Sequence, residues 1–301
     1  MKKIFGAVIG LMIIVCMIIS VAAFLSLHNN TASNVISTKA ANITQFELKK
    51  PLLVVTDSVM EYKVNNFNVT SEYEKGISNI FGFNLSDNPK GDKIVDSGKL
   101  LKFYNTGGFL YASHSDFVGD APTSLPSEQD SINIAEKYLK NQKLLPQDVG
   151  SAYVTPIQID VYYPTSNTTL NYTLARTVHF NRTINDLKVY GPGQNLIVDV
   201  SDNGKITGAQ KLWRDVSPYQ MKKIKTPDQA YSELANGNNS TVIVPHTNAD
   251  KVAITDVSLG YYIEEGDVYQ QYVDPIYVFK GDEISGDTVS NGTYVAFVKA
   301  I

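Results

Sequence analysis

Twenty-four consecutive residues, Ile4–Leu27 (IFGAVIGLMIIVCMIISVAAFLSL), carry no charge. One helical crossing of a bilayer takes about 20 residues, so the run is long enough to span once. Lys2 and Lys3 precede it and no lysine or arginine follows closely. That bias predicts a cytoplasmic N-terminus and an extracytoplasmic bulk. The competing reading is a cleavable signal peptide, for which Ser20-Val21-Ala22 supplies small residues. The length of the apolar run favours a retained anchor. Gly6 and Gly10 stand four apart, a spacing that permits close helix approach.

Past the run, the chain must stabilise itself without disulfides, because Cys16 is the one cysteine and lies inside it. A packed core is therefore required, and the remaining length can bury one. Residues 28–301 hold 24 Lys+Arg (26 less Lys2 and Lys3) against 30 Asp+Glu, a net of −6. That mild acidity argues against nucleic acid, which would call for a basic patch, and against docking on anionic lipid. Ten Asn-x-Ser/Thr triplets begin at Asn29, Asn42, Asn68, Asn84, Asn167, Asn171, Asn181, Asn238, Asn239 and Asn291. Each is an acceptor signal for N-glycosylation on an exposed loop, and an Asn- and Thr-rich surface also makes such triplets by composition.

Residues 28–45 are small and polar and read as a flexible tether. Residues 46–125 read as a β-rich unit, with Asn105-Thr106-Gly107-Gly108 as a hairpin turn. The period then changes. Ile132, Ala135, Tyr138 and Leu139 recur at helical spacing, Ser127 caps with Asp130 three residues on, and Pro146 marks the end. Strands follow at about 152–162, 171–182, 187–190, 194–201 and 205–213, closing a unit of 126–222. A second helix starts at Thr226-Pro227, with Ala230, Tyr231 and Leu234 as its stripe and Gly237 past its end. Strands at about 251–263, 268–280 and 292–299 complete a unit of 223–301. The expected architecture is α+β: an N-terminal transmembrane helix, then repeated units of one helix packed on an antiparallel sheet.

Gly191-Pro192-Gly193 could suggest a phosphate loop. Such a loop must feed a helix whose first amides receive the anion. This one feeds a strand, then a hairpin at Ser201-Asp202-Asn203-Gly204, and so predicts a structural corner.

The helix INIAEKYLKNQKLLPQD, the strands of TLARTVHFNRTINDLKVYGPGQNLIVDVSDNGKITG and the following KLWR resemble the PepSY-like module. More closely they resemble extracytoplasmic regulators of the YycI/YycH type. TPDQAYSEL and YVDPIYVFKGD repeat the pattern. The resemblance covers residues 127–301, and more weakly 46–115. It implies binding rather than catalysis, through restraint of a membrane sensor kinase or inhibition and chaperoning of a protease. It carries over no site residue.

The residues themselves mark no catalytic, metal or cofactor site. His28, His114, His179 and His246 lack helical ligand spacing. Glu264-Glu265-Gly266-Asp267 and Gly281-Asp282-Glu283 read as solvated acidic turns. Trp213, Arg214, Tyr261 and Tyr262 are the candidate interface residues, from types favoured in binding hot spots. The expected function is a non-enzymatic, anchored extracytoplasmic domain, held to the membrane by residues 4–27 and binding an envelope protein. The alternatives are a structural cell-surface glycoprotein, and a hydrolase or ligand-binding protein with a dispersed site.

Overall fold

A computed structural model describes residues 45–49, 56–84 except 66 and 68, 93–113 except 97, 124–163, 166–236, 242–243, 249–286 and 288–301. Ile4–Leu27 and the tether lie outside the described residues. Among the described residues, no helix is long and apolar enough to cross a membrane. The expected single-pass placement thus finds no support in the structure and is withdrawn.

The expected α+β architecture is also corrected. Among the described residues the fold is dominated by strands, joined in one mixed sheet of 15, with three α-helices. The helices are α1 (Ser71–Ile80), α2 (Glu128–Asn141) and α3 (Pro227–Ala235). The pairing is not all antiparallel. Strand β13 (Lys251–Tyr262) runs parallel to β1 (Gln45–Leu48) and to β8 (Leu187–Tyr190). Turn signals specify hairpins between neighbours. They say nothing of such pairings between distant segments.

Contacts divide the chain into two compact units whose segments interleave. One takes the described residues of Met1–Val55, Lys225–Ser258 and Tyr277–Lys299. Its helix, α3, has the predicted cap: Thr226 Oγ1 accepts from the Gln229 amide at 3.2 Å, and Gln229 accepts from the Thr226 amide at 2.8 Å. That reciprocal pair satisfies two amides that the helix itself leaves free. Ala230 and Leu234 are buried, and the Tyr231 ring lies 6.3 Å from the Phe279 ring between centroids. Strand β12 (Val242–Ile243) pairs antiparallel with β15 (Thr288–Lys299). Gly281-Asp282-Glu283 is not a turn. It lies within β14 (Tyr272–Ser285), where a Cβ on Gly281 would meet the Ala253 carbonyl oxygen at 2.4 Å.

The other unit takes Thr56–Ile224, Leu259–Ile276 and Ala300–Ile301. Its centre is an antiparallel run of strands: β6 (Val149–Tyr163), β7 (Thr168–Ile184), β9 (Leu196–Ser201), β10 (Ile206–Lys211), β5 (Phe109–Ser113), β4 (Lys99–Phe103) and β3 (Lys93–Asp96). The register sets Val154, Val178, Val198, Ala209, Tyr111 and Leu101 in one line across six of them. Partners in register share a face, so this line is one wall of the core. Ile77 of α1 and Ala135 and Leu139 of α2 cover it. The cap of α2 is the predicted one, with Ser127 Oγ accepting from the Asp130 amide at 3.1 Å. The helix α1 lies where only strands were expected. Its stripe of Tyr73, Ile77 and Ile80 is thin and Gly76 weakens it. Thr70, which accepts from the Tyr73 amide at 3.2 Å, and Glu72 and Glu74 in its first turn were the legible signal.

The corner at Gly191-Pro192-Gly193 is structural. A Cβ on Gly191 would meet the Ile263 carbonyl oxygen at 2.2 Å. The Gly193 amide donates to that oxygen at 3.2 Å, and the Ile263 amide donates to the Tyr190 carbonyl at 2.9 Å. The glycines let two backbones touch. At the Ser201–Gly204 turn, Asn203 and Gly204 both have positive φ, 54° and 74°. Asp202 there accepts from the Ser124 amide at 2.6 Å, tying the turn to the lead into α2.

Candidate functional site

The four candidate interface residues are buried and spent within the unit. Trp213 is 8% exposed and Arg214 5%, with Tyr261 and Tyr262 at 0% and 4%. The Trp213 indole donates to Asp148 Oδ1 at 2.8 Å, and the same carboxylate takes Arg182 Nε at 2.7 Å. The Arg182 guanidinium also lies 4.9 Å from the Trp213 ring centre. Burial pulls the Arg182 pKa below its ordinary value, and the Asp148 charge opposes that shift. Arg214 Nη2 donates to the carbonyls of Glu265 and, at 2.7 Å, Val268. It thereby pins the acidic turn, whose Asp267 also faces Lys102 at 3.7 Å. Tyr261 donates to the Met60 carbonyl at 2.7 Å. Residue type suggested a surface role for these side chains, whereas they are buried.

The surface that stands out lies on the β6–β7 hairpin. Among the described residues from Pro156 to Leu174, none is buried. The hairpin therefore runs past the core as an arm, with two different faces. Alternation and register put Ile157, Ile159, Val161 and Tyr163 on one face with Leu170 and Tyr172. The other face carries Gln158, Asp160, Tyr162, Thr169, Asn171 and Thr173. There Gln158 donates to Asn171 at 3.0 Å and Asn171 to Asp160 at 2.9 Å. Hydrogen bonding closes the polar face on itself. The apolar face has Tyr163 and Leu170 exposed, Leu170 at 47%.

The apolar face continues toward the body of the sheet through Thr155 and Tyr153. The Tyr153 ring stacks on His179 with centroids 4.7 Å apart and planes 7° from parallel. Thr155 Oγ1 lies 2.8 Å from His179 Nε2. His179 is thus half-exposed, on the face opposite Val178. Burial raises the Tyr153 pKa. At the arm's end, the hydroxyls of Tyr163 and Tyr172 share a hydrogen bond of 3.1 Å, which is the main cause of the raised Tyr172 pKa.

Of the ten asparagine triplets, Asn29, Asn42, Asn68, Asn238 and Asn239 lie outside the described residues, and nothing is described of the Asn291 side chain. Asn84, Asn167 and Asn171 are exposed, and Asn181 is half-buried with Ser151 at 3.1 Å. Asn167 sits at the arm's end, where its side chain accepts from the Tyr162 hydroxyl at 2.9 Å. His28, His114 and His246 also lie outside the described residues. Among those described, no group of three or more His, Cys, Asp or Glu is placed to hold a metal. A shallow depression of about 450 Å³ is lined by Lys225, Asp228, Gln229, Ser232 and Glu233. There the Lys225 ammonium is already bound by both Glu233 oxygens, at 2.8 and 2.9 Å.

No family model matches the chain. No curated protein matches it either. Solved structures do. An uncharacterized protein from Eubacterium rectale ATCC 33656 is similar at 10% identity and a TM-score of 0.44, over 92% of this chain and 96% of that one. The Bacillus megaterium YpeB C-terminal domain is similar at 15% identity and a TM-score of 0.33, over 77% of this chain and 93% of that one. At these scores neither likeness carries the fold or the function. The resemblance to YycI/YycH-type regulators has no family model behind it.

Proposed function

We propose that the chain is a non-catalytic interaction domain that takes a protein partner on the apolar face of the β6–β7 arm. One observation carries this reading. Ile157, Ile159, Val161, Tyr163, Leu170 and Tyr172 share one face of a hairpin segment in which no described residue is buried. Folding alone gives no reason for such a face, since side chains that pack no core contribute little to stability. A contiguous apolar face with tyrosines at its end is the composition of a protein interface. On the other face Gln158, Asn171 and Asp160 are hydrogen-bonded to one another, and the exposed Tyr162 there bonds to Asn167.

The test is a photo-crosslinking residue introduced into the full-length chain in its native host. Placed at Leu170, it gives a discrete adduct with one protein. Placed at Ser232, on the exposed flank of α3, it gives none. Equal yields of diffuse adducts from both positions would overturn the reading.

A further inference from the structure

The partner face has an open edge beside it. Among the described residues β6 pairs only with β7, and no described strand lies along its other edge. Pro156 lies within the strand. A strand proline is tolerated where its missing N–H faces away from the ladder. With period 2, that puts the amides of Gln158, Asp160 and Tyr162 on the open edge.

Resting on the reading of the arm as an interaction surface, we infer that this edge pairs with the same edge of a second copy, antiparallel about Ile159. The stretch Thr155–Tyr163 (TPIQIDVYY) is self-complementary about that residue. In this register Ile159 meets Ile159 of the second copy, Ile157 meets Val161, and Pro156, which has no N–H to donate, meets Tyr162 at each end, so the ladder bonds come from the amides of Gln158, Asp160 and Tyr162. Ile157, Ile159 and Val161 lie on the apolar face. Gln158 meets Asp160 on the polar face, an amide opposite a carboxylate. A register shifted to centre on Asp160 sets two carboxylates directly opposite each other, which is unfavourable. A register centred on Gln158 sets Ile159 against Ile157 but moves Val161 opposite Thr155 and Asp160 opposite Pro156, losing an apolar pair and the amide partner. The arrangement has two-fold symmetry, so both apolar faces lie on the same side. They form one four-stranded apolar surface for the partner.

The inferred register makes the Ile159 pair a non-hydrogen-bonded one, with α-carbons about 4.5 Å apart. That separation admits a disulfide. The experiment uses the full-length chain with Cys16→Ser and Ile159→Cys, compared with Cys16→Ser and Tyr163→Cys. The two Tyr163 positions stand eight residues apart in this register, about 26 Å at 3.3 Å per residue. Mild oxidation converts most of the I159C chain to a covalent dimer and leaves Y163C monomeric. Unmodified chain sediments as a dimer, and Ile159→Lys, with two ammonium groups at the dyad, sediments as a monomer. Trp213 fluorescence, buried in the other part of this unit, checks that each variant is folded. A monomeric unmodified chain overturns the inference, as does equal crosslinking of I159C and Y163C. A monomer that still gives the discrete Leu170 adduct removes the second copy and leaves the partner-binding reading standing. Loss of that adduct in a chain that remains dimeric removes the partner reading alone.

Discussion

Gly193 lies so close to Glu264 that a Cβ built on it would stand 1.8 Å from the Glu264 carbonyl oxygen. This contact explains the Gly-Pro-Gly sequence better than any ligand does. The side chain is missing because the Glu264 backbone occupies its place. Gly193→Ala must push two hydrogen-bonded segments apart, and the expected cost is about 2–4 kcal/mol. Gly76 provides the contrast. It is exposed within α1 with nothing within 4 Å of an added Cβ. Gly76→Ala is expected to stabilise by about 0.5–1 kcal/mol through helix propensity. Urea denaturation of the two variants checks both signs.

Asp148 holds two buried groups at once, the Arg182 guanidinium and the Trp213 indole. Removing it leaves Arg182, 1% exposed, without its carboxylate. Asp148→Ala is expected to destabilise by about 3–5 kcal/mol, because a buried charge loses its partner. Asp148→Asn retains an acceptor for the indole and costs less. Trp213 is the only tryptophan, so its emission reports the change directly.

Acid sensitivity has a local source in the first unit. Lys251 and then Lys49 hydrogen-bond Glu47 and pull its pKa from 4.5 to about 2. A depressed folded-state value contributes stability above the unfolded value and loses it as pH falls through the folded one. The contribution of Glu47 is therefore present at neutral pH and disappears between about pH 4.5 and 2. Glu47→Gln should flatten the stability–pH curve in that window and, above pH 6, lower it without changing its slope. A retained slope would assign the acid response to other groups.

A burial effect of opposite sense is expected at high pH. Burial pushes the Tyr73 pKa up to about 12, and its hydroxyl donates to the Gly107 carbonyl. A raised value contributes stability below the unfolded pKa of 10 that is lost as pH rises toward 12. Tyr73→Phe should reduce that alkaline loss while costing about 1 kcal/mol at neutral pH for the missing hydrogen bond. Thermal melts at pH 7 and pH 11 separate the two effects.

Local signals in the sequence were legible. Thr226, Pro227 and Gln229 specify the start of α3, and Ser127 with Asp130 that of α2. Asn203-Gly204 marks a hairpin whose two positive φ values need those residues. The strands β7, β8, β9 and β10 fall close to their alternating runs. What stayed hidden was long-range. Nothing in GYY announces that Gly260, Tyr261 and Tyr262 run parallel to Lys188, Val189 and Tyr190, so those tyrosines read as surface and are core. Trp213 and Arg214 are buried by side-chain bonds to distant residues, Trp213 to Asp148 and Arg214 to the Glu265 and Val268 carbonyls. The alternation of TPIQIDVYY was visible, but its exposure was not. Whether an apolar strand face is covered depends on which distant segments reach it.

The central claim is that the apolar face of the arm is the working surface. The most direct measurement is capture of the partner crosslinked at Leu170, compared between the unmodified chain and the triple variant Ile159→Thr, Val161→Thr, Tyr172→Thr. These half-buried positions pack no core, so the melting temperature should change little. The account predicts that the discrete adduct falls at least about tenfold, matching about 1.4 kcal/mol or more of lost binding. An unchanged adduct from a folded triple variant would contradict it.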